Sequence, residues 1–185
     1  MNKKVKTIVY TAITAAALCI LAPMSIPLPF TPIPISLTIL VLCLSCYLTN
    51  YKITLIAYST YVVLGMVGLP VFSGFTGGIG KIAGPTGGYI LGFYAVIFLC
   101  GICVERFNGP ITQYVMPIVG MLTGIAIDYI LGTAWYVFSQ KVSVTAALTA
   151  CVIPFIPFDC IKIAVCALVG QPVRHLLKNK RFRNF

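Results

Sequence analysis

GMVGLPVFSGFTGGIGKIAGPTGGY, residues 65–89, holds nine of the sixteen glycines of the chain and two of its prolines. Glycine frees the backbone and proline breaks helical hydrogen bonding, so this density predicts an irregular loop between hydrophobic runs. Phe72, Phe75, Ile79, Ile82 and Tyr89 are interleaved with the glycines, where a flexible linker would carry Ser, Glu and Lys. The reading is a conformationally specified segment whose main chain can approach a small ligand closely.

The composition around it is that of a membrane protein. Hydrophobic residues make up 59%, charged residues only 9%, and the mean hydropathy is +1.02. The 185 residues suffice for about six spans at ~20 residues each, with no room for a soluble catalytic domain. Thirteen Lys and Arg face three acids, but Lys3, Lys4, Lys6 and Arg174, Lys178, Lys180, Arg181, Arg183 lie at the two ends. There they flank apolar segments as cytoplasmic anchors, which argues against a nucleic-acid partner.

Taken in order, the first span is expected over residues 7–21, retained rather than cleaved as a signal peptide, followed by an uncharged connection rich in proline (Pro23, Pro27, Pro29, Pro32, Pro34). Further spans are expected over 35–48, 53–69, 90–104 and 112–138. A short apolar helix is expected over about 143–153, and a sixth span opening at Pro157, with Pro172 ending or kinking it. The expected fold is therefore all-α, a single six-helix transmembrane domain over residues 1–185. With the amino terminus inside, ten basic residues fall on the inner side, Lys52 and Arg106 among them, against Lys81 and Lys141 outside. That bias predicts both termini in the cytoplasm and the glycine-rich loop, between helices three and four, outside.

Lys162 is left over in the membrane. It stands three residues after Asp159 in PFDCIK, so the two share a helix face. Each charge alone would cost about 2.5 to 3.5 kcal/mol at mid-bilayer, which marks the pair as a functional candidate near the loop. Asp128 is the other intramembrane acid; a hydrogen bond to a neighbouring helix is its expected role. Trp135, seven residues on and on the same face, reads either as an interfacial anchor or as a pocket wall. Ala12 and Ala16 form a small-residue face for helix packing, within the chain or against another. All eight cysteines lie in apolar runs, and the only histidine, His175, is in the basic tail, so two CxxC spacings are read as small apolar residues rather than a metal site. FTGGIGKI at 75–82 has Phe and Ile where a phosphate loop needs Gly and Ser or Thr, and no Ser, His and acid set supports hydrolysis.

IPLPFTPIPISL at 26–37, GLPVFSGFTGGIGKIAGPTGGY at 68–89, LGTAW at 131–135 and PFDCIK at 157–162 together resemble the BioY-type substrate-binding, or S, components of energy-coupling factor (ECF) vitamin transporters. The resemblance spans essentially the whole chain. Two positions depart from the family pattern: Thr38 stands where Gln is frequent, and Phe158 where Gly is frequent between the Pro and Asp of the last motif.

The resemblance implies capture of biotin from outside, without catalysis or cofactor, and delivery inward on a transmembrane coupling subunit driven by two ATPase subunits. The Ala12 and Ala16 face looks like the family's docking element for that subunit. Biotin's ureido N–H groups suit Asp159 and its carboxylate suits Lys162, while Phe72, Phe75, Tyr89 and Trp135 would wall its apolar part. Backbone N–H groups near Gly74 and Thr76 would bond the ureido oxygen or the carboxylate. Nanomolar capture would need about 12 kcal/mol, hence a dry site closed by the loop. The competing readings are an S component for a different small vitamin, a stand-alone biotin transporter or facilitator, and a membrane enzyme using Asp128 with Asp159.

Overall fold

The computed structural model describes residues 2–178; Lys180, Arg181 and Arg183 of the basic tail lie outside the described residues. Within them the chain forms α1 (Lys3–Leu21), β1 (Ser25–Leu28), β2 (Thr31–Ser36), α2 (Thr38–Leu48), α3 (Tyr51–Met66), α4 (Ile79–Ala83), α5 (Gly87–Arg106), α6 (Thr112–Gln140), α7 (Val144–Cys151) and α8 (Ile156–Lys178). Four helices, α1, α5, α6 and α8, are long and apolar enough to cross a membrane. The eleven residues of α2 rise only about 17 Å, and α3 about 24 Å, so length alone does not make either a span. The bundle turns apolar side chains outward, among them Ile8, Ile13 and Ile20 on α1, Ile130 on α6 and Leu168 on α8, as a lipid-facing surface requires.

The expectation of an all-helical fold needs correction at the proline-rich connection. β1 and β2 pair antiparallel, Ser25 opposite Ser36 and Ile26 opposite Ile35, with an irregularity at Pro27. The reason lies in TPIPIS: Thr31, Ile33 and Ile35 are buried in alternation with Pro32, Pro34 and Ser36. That period of two is a strand pattern, and its prolines forfeit N–H groups on one edge only. The second helix therefore opens at Thr38, three residues later than the apolar run suggests.

Glycine sets the closest helix contact. α5 and α6 run antiparallel with Gly88 against Trp135 and Leu131, Gly92 against Asp128, Val96 against Gly124, and Leu99 with Cys103 against Gly120. A Cβ at Gly124 would stand 2.7 Å from the Val96 Cα, and one at Gly92 2.8 Å from the Asp128 Cα. Backbone meets backbone along this seam, which only glycine permits. Gly87 and Gly88 thus begin a helix instead of continuing the loop, contrary to the expectation from their density.

The remaining core gathers α2, α3, α5 and α8 around Tyr58, Leu42, Ile97 and Cys43, Cys46, Cys100 and Cys166. α2 and α8 run parallel: Cys166 Sγ reaches the Leu40 carbonyl at 3.8 Å, and a Cβ on Gly170 would meet the Tyr47 ring at 2.6 Å. α7 and the opening of α8 near Pro157 match the sequence expectation, whereas Pro172 lies inside α8 and does not end it.

Candidate functional site

The glycine-rich segment folds as a lid. Phe72 N–H donates to the Thr76 carbonyl at 2.9 Å and Thr76 N–H returns a bond to Phe72 at 3.3 Å, closing a tight loop. Its tip holds Gly74 and Phe75 at φ of 77° and 55°; a non-glycine residue in that region stores strain that the surrounding bonds must hold. Gly74 N–H donates to the Pro23 carbonyl at 3.1 Å, tying the lid to the end of α1, and Gly78 N–H donates to Gly65 at 2.7 Å. At the far side, Trp135 Nε1 donates to the Gly84 carbonyl at 2.9 Å.

Beneath this lid lies a small cavity of about 60 Å³. β2 and the start of α2 supply Ile33, Ser36 and Thr38, α3 supplies Tyr58 and Tyr61, the lid Phe72 and Lys81, and α5 with its approach Thr86, Tyr89 and Phe93. Five aromatic rings, Tyr58, Tyr61, Phe72, Tyr89 and Phe93, contribute to the wall. Phe72 packs edge-on against Tyr61 with centroids 5.5 Å apart, and Tyr58 Oη donates to the Ile90 carbonyl at 2.7 Å. Ser36 and Thr38 hydroxyls bond one another at 3.0 Å, so few polar atoms converge on an apolar chamber, as small-ligand sites require.

Asp159 and Lys162 occupy the first turns of α8 and are buried, 4% and 8% exposed. Lys162 Nζ donates to Asp159 Oδ1 at 2.7 Å, and Tyr129 Oη donates to Asp159 Oδ2 at 2.5 Å. Both carboxylate oxygens are therefore engaged, which offsets the cost of burying the pair. Neither residue is among those lining the cavity.

Of the other residues singled out in the sequence, Phe72 and Tyr89 line the cavity. Phe75 does not: it is 67% exposed at the lid tip, because its left-handed backbone turns the side chain away from the chamber. The Thr76 N–H is consumed by the lid's own bond to Phe72 and the Gly74 N–H by the Pro23 carbonyl, so neither is a free donor in this conformation. Trp135 stands outside the chamber lining and clamps the end of the lid. Asp128 is 1% exposed on the glycine seam, and its Oδ1 has no hydrogen-bond partner. The expected interhelical bond fails because the facing α5 backbone has spent its N–H groups on its own helix. Phe158 is 41% exposed and does not narrow the chamber, whereas Thr38 is part of its wall.

Sequence reasoning missed Ser36, Tyr58, Tyr61, Lys81, Thr86 and Phe93. Tyr58 and Tyr61 share a helix face at a spacing of three, a signal that core packing produces equally often. Lys81 was counted only as an outer cation. On α1, Ala12 and Ala16 face outward, while Thr14, Ala15, Leu18 and Ala22 are buried.

Residues 1–179 match the model of the BioY family. The chain is 32% identical over 177 residues to the biotin transporter BioY of Thermotoga maritima, covering 95% of this chain and 98% of the other. It is 31% identical to the biotin transporter BioY2 of Lactococcus lactis over 186 residues, 99% of each chain. The crystal structure of an S-component for biotin from an ECF-type ABC transporter superposes with a TM-score of 0.84 at 27% identity, covering 95% of both chains.

Proposed function

This chain belongs to the BioY family, a family of transporter S components rather than enzymes, and from that membership we propose that it is a high-affinity biotin-capture subunit. It is a multi-pass membrane protein. In this reading it forms a single six-helix substrate-binding domain in the cell membrane, α1, α2, α3, α5, α6 and α8 each crossing or nearly crossing the bilayer. The lid faces outside and both termini lie in the cytoplasm. The arrangement of the ends supports that: α1 meets the lid through Pro23 at its C-terminal end, and Glu105 at the end of α5 accepts from Tyr51 N–H at the start of α3. Lys4, Lys6, Lys52 and Arg106 thus gather at the end away from the lid, where cytoplasmic cations belong.

The observation that carries the reading is the buried ion pair of Asp159 and Lys162 in the first turns of α8. Asp159 accepts from the ureido N–H groups, and Lys162 with Tyr129 holds it in place. Phe72 and Tyr89 enclose the apolar rings, the lid strand of Gly74, Phe75 and Thr76 closes over them, and Trp135 holds the lid shut. The outward Ala12 and Ala16 face docks on an ECF transmembrane coupling subunit, which two ATPase subunits drive. Binding of biotin to purified Asp159→Asn and Lys162→Met proteins tests the site. Loss of a charge-assisted hydrogen bond to the ligand costs about 1.5 to 3 kcal/mol, so affinity is expected to fall about 10- to 100-fold. Wild-type affinity in both variants would reject the assignment.

A further inference from the structure

Lys81 is the one charged side chain among the residues lining the chamber. It sits on α4 in the lid, and among the described residues no hydrogen bond or ion pair engages its ammonium group. Its backbone carbonyl accepts from Thr86 at 3.3 Å, which fixes the short helix against the approach to α5. The lysine is half-buried, and burial pulls its pKa below the usual lysine range. A cation taken partly out of water with no acid beside it is a cost unless an anion arrives to pair with it.

The ion pair on α8 presents the opposite situation. Lys162 already donates to Asp159 at 2.7 Å, and the second carboxylate oxygen holds Tyr129. This pair is internally neutral and has no spare charge for an anionic ligand. The two lysines are therefore not equivalent: one is spent in the α8 pair and the other is uncommitted in the lid.

We propose that Lys81 is the specificity-determining cation of the site, receiving the carboxylate of the ligand from the lid side. The proposal rests on the biotin-capture reading and reassigns the carboxylate from Lys162 to Lys81. It gives the lid a reason to close on the right molecule. A ligand with an anionic tail bonds both the lid and Asp159, whereas an uncharged analogue leaves the half-buried ammonium unpaired. Discrimination then arises from a penalty against the wrong tail as well as a gain from the right one.

The test uses the full-length protein purified in detergent, with biotin and its carboxamide titrated by calorimetry into wild type, Lys81→Met and Lys81→Arg. Wild type is expected to prefer biotin about 10-fold or more. Lys81→Met is expected to weaken biotin binding by about 10- to 100-fold while barely changing the carboxamide, and Lys81→Arg to keep the preference. Equal loss of both ligands in Lys81→Met would mean that the lysine only props the lid, and no loss of either would mean that it does not meet the ligand; each overturns the proposal. Tight binding of both ligands by wild type, without preference, removes Lys81's role and leaves biotin capture standing. Failure of wild type to bind either ligand removes the capture reading and this inference with it.

Discussion

Trp135 stands outside the chamber lining and is bonded to the end of the glycine-rich segment. Its indole N–H bonds the Gly84 carbonyl at 2.9 Å, and its Cβ would stand 2.4 Å from a methyl group on Gly88. The ring therefore locks the last residues of the lid onto α6, and glycine at 87 and 88 gives it room. Trp135→Phe keeps most of the packing and deletes the donor, leaving the carbonyl to find water. A neutral hydrogen bond contributes about 1 kcal/mol net, so the lid should open more often and biotin should dissociate about fivefold faster. Stopped-flow measurement of ligand release checks this, with the association rate expected to change less. Asp159 is a contrasting case, because its value depends on two neighbours from two helices. Lys162 was visible in the sequence as a partner three residues away, whereas Tyr129 comes from α6 and no local pattern announces it.

Among the elements, the α5 and α6 seam separates glycines by what they face. Gly124 lies 2.7 Å, by its absent Cβ, from the Val96 Cα, and a backbone atom cannot rotate aside. Gly124→Ala is expected to force the helices apart and cost about 1 to 3 kcal/mol, read as a lowered melting temperature in detergent. Because the seam also carries Tyr89 against Gly132, added biotin should restore only part of the loss. Gly80 on α4 is the counterpart: nothing lies within 4 Å of its absent Cβ. Gly80→Ala should be neutral or stabilising by up to about 1 kcal/mol through helix propensity. The same residue type thus gives opposite outcomes at the two positions. The β1 and β2 hairpin belongs to this scale as well, since its Ser36 delivers the chain to Thr38 and thereby builds one wall of the chamber.

For the whole molecule, the outward face of α1 offers a test that separates the proposed docking from ligand binding. Ala12 and Ala16 are exposed, on the side opposite Thr14, Ala15 and Leu18, which pack inward. Replacing both alanines with Leu adds bulk on a surface that touches neither the lid nor the chamber. The expected result is loss of association with the coupling subunit in a pull-down, with biotin affinity of the isolated chain unchanged. Loss of biotin binding in that double variant would instead assign the face to packing within the chain. The placement of charge agrees with such a division of labour: cations gather at the end away from the lid, and the ion pair sits inside the bundle.

Composition and hydropathy alone determined that this chain lives in a membrane, because a surface that faces lipid must be apolar wherever the chain turns. The motifs at 26–37, 68–89, 131–135 and 157–162 pointed to the family, and Asp159 and Lys162 stood out because charge in an apolar run is costly and therefore informative. Phe72 and Tyr89 were legible as chamber residues from their place among the glycines, but Phe75 carried the same signal and faces elsewhere, and Trp135, read as an anchor or a pocket wall, lies outside the lining. Tertiary structure alone decided those directions, the partner of Asp159, the loneliness of Lys81 and the strand that ends at Ser36. Each depends on atoms brought together from distant parts of the chain, and local spacing carries no record of which distant residue will arrive.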